Sequence, residues 1–114
     1  MLVVTLWEQR AARNEALFRE VNEQVEALTR RFAYAGDDTI DIVCECADLT
    51  CIERIVVPLA TYERVRTEAT FFFVRPGHQL TDIEDVVEQT GAYNVVRKRE
   101  DAARLIAEAT DPRQ

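Results

Sequence analysis

The sequence predicts an α+β domain: a small, mostly antiparallel sheet of about four strands, a long N-terminal helix and two or three shorter helices, stapled by zinc. Three observations carry this. From Thr5 to Ala33 no Gly or Pro interrupts a run whose apolar residues recur at helical spacing. Residues 39–57 hold two runs that alternate with period two, the mark of strands with one buried face. All three cysteines fall between Val43 and Cys51, and the single histidine stands in Pro76-Gly77-His78.

The elements follow in order. Thr5-Leu6-Trp7-Glu8 fits a capping box, in which Thr5 and Glu8 satisfy each other's backbone N–H groups. Behind it Trp7, Ala11, Asn14, Phe18, Val21, Val25, Leu28 and Phe32 are spaced alternately by four and three, a heptad seam widened at Leu17. Asn14 within that seam can set register in a dimer, or the seam can pack on the domain's own sheet. The pattern favours a homodimer or partner protein docked through this helix at Trp7, Phe18, Val21, Val25 and Leu28. Arg13, Glu15, Arg19, Glu20, Glu23, Glu26, Arg30 and Arg31 read as its solvated flanks.

Gly36-Asp37-Asp38 signals a turn. Thr39 to Cys46 reads as a strand, with Ile40, Ile42, Cys44 and Cys46 on one face, and Ile52 to Val57 as its antiparallel partner. Pro58 stops that strand, and Leu59 to Glu68 reads as a short helix. Thr70 to Arg75 contains Phe71-Phe72-Phe73, a core strand with one ring turned toward a helix or a partner. Thr81-Asp82-Ile83-Glu84 fits a second capping box, predicting a helix through Val86 and Val87 that ends at Gly91. Ala92 to Lys98 reads as the last strand and Glu100 to Thr110 as the last helix, closed by Asp111-Pro112. The chain is expected to form one domain, 1–114, with 5–33 the long helix and dimerisation arm and 39–110 the zinc-binding core.

Composition narrows the partners. A net charge of −7, with 21 acidic against 14 basic residues, argues against nucleic acid, whose phosphates need a basic face. Arg97-Lys98-Arg99 reads as a solvated strand end. No apolar run is long enough to cross a membrane, so the expected setting is the cytoplasm. Lys98 is the only lysine among the 14 basic residues, a bias typical of GC-rich bacterial genes.

Three thiols and one imidazole are the donor set of a closed tetrahedral zinc site, so Cys44, Cys46, Cys51 and His78 are the expected metal ligands and Zn²⁺ the expected cofactor. Cys44 and Cys46, two apart on a strand, share a face, with Glu45 pointing away from it and outward. Flat-strand Cβ atoms at that spacing stand about 7 Å apart, whereas sulfurs on one zinc lie about 3.8 Å apart. A bulge or turn at Cys46 must close the difference. Backbone N–H groups would have to support the sulfurs. Three buried thiols with a surface histidine, or a redox pair, are the competing readings of the same residues.

No catalytic constellation accompanies the set. Gly36, Gly77 and Gly91 stand alone, so there is no phosphate loop, and no second histidine serves acid–base chemistry. Tyr62-Glu63 and the Glu84, Asp85, Glu88 group read as helix-face charges. The expected function is a non-enzymatic zinc-binding interaction or regulatory module. The alternatives are a thiol-based redox or metal sensor using Cys44, Cys46 or Cys51, and a zinc enzyme whose fourth position stays open because His78 does not bind.

Residues 13–23 (Arg13 to Glu23), Val43-Cys44-Glu45-Cys46 with Cys51, and Pro76-Gly77-His78 together resemble a family of small uncharacterised bacterial proteins from GC-rich genomes. The resemblance spans about residues 11 to 98. No activity is established for that family, so it implies no mechanism; it implies that the cysteines and the Pro-Gly-His turn belong to one pattern.

Overall fold

The computed structural model describes residues 6–32, 38–48, 50–80, 83–99 and 101–113. The elements are α1 (Leu6–Phe32), β1 (Thr39–Val43), β2 (Arg54–Pro58), α2 (Leu59–Arg66), β3 (Phe71–Val74), β4 (Glu84–Gln89), β5 (Asn94–Lys98) and α3 (Asp101–Ala109). The α+β class holds, with one long helix and two shorter ones. In place of one sheet of about four strands there are two antiparallel sheets, β1-β2 and β3-β5-β4. Thr5, Gly36, Asp37, Thr81 and Asp82, on which both capping boxes and the first turn depend, lie outside the described residues.

The hairpin of β1 and β2 pairs Ile40 with Val57 and Ile42 with Ile55, and these four side chains point inward while Thr39, Asp41, Arg54, Val56 and Pro58 stay exposed. Past Val43 the chain steps across to the other sheet: the Cys44 N–H donates to Glu53 O and the Glu45 N–H to Phe73 O at 2.7 Å. This step joins the sheets where the cysteines sit. Between the sheets, Phe73 stacks on Tyr62 with ring centroids 5.7 Å apart and meets Tyr93 edge-on. Val57, Val65, Val74 and Val95 complete this apolar core.

The segment expected to form a helix over Thr81 to Gly91 is strand β4, antiparallel to β5. Ile83, Val86 and Val87 imitate helical spacing, and Gly91 imitates a helix end. The Thr90 to Tyr93 turn decides otherwise. The Thr90 N–H donates to Tyr93 O, and the Thr90 hydroxyl oxygen accepts the Ala92 and Tyr93 N–H groups. That closes a hairpin in which β-branched Val86 faces Val96.

The buried stripe of α1 is also not the apolar seam. Ala11, Ala12, Glu15, Arg19, Asn22 and Glu26 are buried, whereas Leu17, Val21 and Leu28 are exposed. Phe18 and Val25 are half-buried, and the side chains of Trp7 and Phe32 lie outside the described residues. Charged flanks became the inner face because the surface beneath α1 is itself polar. Lys98, expected to be solvated, is buried with its ammonium between the Glu15 and Glu84 carboxylates. Glu84 is thus a buried strand residue and no helix-face charge. Arg19 donates to Ala69 O and to Ala107 O, and its guanidinium lies 4.4 Å from the Phe72 ring centre. Phe72 is the ring of the triplet that turns toward α1.

Candidate metal centre

Two stretches of chain deliver the four ligands, the run that holds the three cysteines and the turn that holds His78. Cys44 follows directly on β1. The backbone then bends at Cys46 and Ala47, as the sulfur spacing requires. Asp48 organises the return: its Oδ1 accepts the Thr50 N–H at 2.9 Å and the Thr50 hydroxyl at 2.7 Å, which holds its carboxyl below the usual range. The Cys51 N–H donates to Asp48 O, bringing the third thiol back. His78 comes from the turn after β3. There the His78 N–H donates to Arg75 O, and Pro76 precedes Gly77 at φ +92°. Proline then glycine is the pairing that a type II turn demands, since only glycine takes that φ without strain.

The four donor atoms lie within 4.8 Å of one another, a group that could hold a metal ion. His78 Nδ1 is 3.5 Å from the Cys44 sulfur and 3.7 Å from that of Cys51. The three cysteines are free of disulfides; Cys44 and Cys46 are buried, Cys51 half-buried. The Arg75 N–H donates to the Cys44 sulfur at 3.2 Å, the backbone support that a thiolate ligand calls for. A cleft of about 390 Å³ opens beside the group, lined by Cys46, Ala47, Asp48, Gly77, His78 and Leu80.

The sulfurs shift one another's titration. A hydrogen bond from Cys44 lowers the Cys46 thiol to about 5, while that bond and burial push Cys44 upward. Burial raises Cys51 as well. A metal ion binds sulfur as thiolate, so a cation entering the group displaces the protons that the sulfurs carry.

Glu45 departs from the outward placement expected of it. It does point away from the sulfurs, but into the protein, where it is fully buried. Its Oε2 accepts Arg66 Nη2 at 2.7 Å and Asn22 Nδ2 at 2.8 Å, and its Oε1 accepts the Phe73 N–H at 2.9 Å. Asn22 and Arg66 are residues around this centre that sequence reasoning passed over, and Asn14, expected to set register in a helical seam, instead donates to Ala47 O. A signal existed for Glu45: a carboxylate flanked by two inward-facing cysteines on an extended segment must face something.

No protein-family profile matches the chain, and no curated protein or solved structure does. Among the described residues no helix is long and apolar enough to cross a membrane.

Proposed function

We propose that the protein is a non-enzymatic zinc-binding interaction or regulatory module with a structural Cys3His site at Cys44, Cys46, Cys51 and His78. The observation that carries this is the convergence of three sulfurs and one imidazole nitrogen within 4.8 Å from separate stretches of chain. Soft thiolates with one imidazole select zinc over the hard, oxygen-seeking cations. Four protein ligands complete the tetrahedron, so no position is kept for water or substrate. Metal analysis with thiol counting tests the reading. Stoichiometric zinc is expected, with the cysteines slow to alkylate until a chelator is added. Metal-free protein with three readily alkylated cysteines would sink it.

The outward face of α1 is the expected partner surface, with a second copy of the chain as its first occupant. Leu17, Val21 and Leu28 are exposed there, and their spacing keeps them on one helical stripe. Val21→Glu with Leu28→Glu should convert a dimer to monomer in light scattering. An unaltered protein that is monomeric at high concentration ends this part of the reading.

A sensor role for the same centre draws on one observation, the half-exposure of Cys51 beside two buried thiols. Peroxide would oxidise two of the thiolates to a disulfide, itself reduced to water, and zinc would leave. Zinc release at low peroxide dose favours this role; retention of zinc until the protein unfolds removes it.

A further inference from the structure

We propose that α1 is part of the metal centre, with Asn14 and Asn22 as positioning residues for the ligand loop, so that metal binding and helix docking form one linked equilibrium. The inference rests on the metal reading above.

The loop is gripped at every second residue. Asn22 Nδ2 donates to Val43 O at 2.8 Å, and Asn22 Oδ1 accepts the Val43 N–H at the same distance, a side-chain amide standing where a neighbouring strand would pair. The same Nδ2 donates to Glu45 Oε2. Asn14 Nδ2 donates to Ala47 O at 2.7 Å. Residues 43, 45 and 47 are thus bound on the α1 side, and the intervening Cys44 and Cys46 send their sulfurs to the opposite side, toward His78 and Cys51. Neither asparagine side chain is among the four donors; both act through the residues that alternate with the ligands.

This arrangement answers the spacing difficulty. An extended segment would hold the two sulfurs too far apart for one zinc, so the loop must be bent and kept bent. Asn22 fixes the chain just before Cys44, Glu45 fixes it between the ligands, and Asn14 fixes it just after Cys46. Without these contacts the metal itself must order the loop, and affinity falls. By the reciprocity of linked equilibria, a metal that orders the loop also presents Val43, Glu45 and Ala47 ready-placed to α1. Other anchors of α1, Glu15 on Lys98, Arg19 on the carbonyls of Ala69 and Ala107, and Glu23 and Glu26 on Arg113, lie elsewhere and do not answer to the metal.

The test measures zinc affinity by competition with a chromophoric chelator, and amide hydrogen exchange of the full chain with and without zinc. Asn22→Ala should weaken zinc by about 10–100-fold, the usual cost of losing an outer support of a metal ligand. Asn14→Ala, which removes one hydrogen bond and keeps the fold, should weaken it about fivefold. Thr29→Ala, whose hydroxyl donates to Val25 O of its own helix, should leave affinity unchanged. Zinc removal should speed exchange within residues 11–26 of α1 while β3 and β5 stay protected, a separation that a merely stabilising asparagine would not produce. Wild-type zinc affinity in both asparagine variants, or α1 exchange indifferent to zinc, overturns the coupling and leaves the metal reading standing. Unaltered protein that takes up no zinc overturns both.

Discussion

Two buried clusters hold this molecule together, and they solve the same charge problem by different means. The sulfur cluster gathers Cys44, Cys46, Cys51 and His78 at the junction of the two sheets. The ion cluster gathers Glu15, Glu84 and Lys98 between α1 and the three-stranded sheet, all with side chains about 1% exposed. Each carries more potential negative charge than its own positive groups cancel. The ion cluster is answered from within, by one ammonium set between its two carboxylates. Burial drives the Glu15 carboxyl well above its ordinary value, though Lys98 works against that, and one of its oxygens finds no partner among the described residues. Among the described residues the sulfur cluster pairs with no cation. Three thiolates there are tolerable only if one arrives from solution. A buried polar cluster completed by the chain is scaffold, and one whose donors could hold a cation is a candidate binding site.

Glu45 ties the ligand loop to a separate buried ion pair, with Arg66, so its removal should have the largest effect. Glu45→Ala leaves the Arg66 guanidinium buried without its counter-ion, at a cost of about 3–5 kcal/mol. That is a large part of the roughly 5–15 kcal/mol that holds a domain folded. Urea denaturation should show a steep loss of stability together with loss of zinc uptake.

Lys98→Met separates the two clusters. Two carboxylates then face each other across a methyl group. Stability should fall by about 3 kcal/mol at pH 8 and by less near pH 5, where a shared proton replaces the amine. Zinc affinity should not change; if it does, the clusters are coupled and the contrast between them fails.

Glu15→Gln acts more gently, on pH dependence. The folded state holds the Glu15 proton above 4.5, where the unfolded chain has already released it. Stability is therefore full below about 4.5 and declines as pH rises toward the raised folded value. Thermal midpoints of Glu15→Gln across pH 5–8 should decline less than those of the unaltered protein.

Arg113→Ala should have the smallest effect. Arg113 pairs with Glu23, Glu26 and Glu63 at the rim, with its side chain 28% exposed. Such pairs contribute about 1 kcal/mol or less. Burial works to raise Glu23, but hydrogen bonds from Arg113 and Tyr62 hold it below its usual value. The contribution is present above 4.5 and lost as pH falls through the lowered value, so the variant and the unaltered protein should converge in acid.

Much of this was legible from the residues, for identifiable reasons. The hairpin shows because Ile40, Ile42, Ile55 and Val57 alternate with exposed neighbours, a pattern that burial on one face writes directly. The candidate metal centre shows because the chain has three cysteines and one histidine and all four fall in it. Strand β4 did not show, because three apolar residues fit either period and the deciding information lay in the Thr90 turn. The inner face of α1 did not show because hydrophobic periodicity assigns Glu15, Arg19 and Glu26 to water. Lys98 beneath Glu15, the carbonyls of Ala69 and Ala107 beneath Arg19, and Arg113 beside Glu26 come from residues 50 to 88 positions away, and no local pattern announces them.

Lys98 has a consequence for the chemistry of the intact protein. It is the chain's only lysine and its amine is sealed between two carboxylates. Acylating reagents, and enzymes that modify lysine, find no side-chain amine on the folded surface. Labelling at this one position would therefore act as a clock for the lifting of α1, each modified molecule recording an opening that exposed what the helix covers.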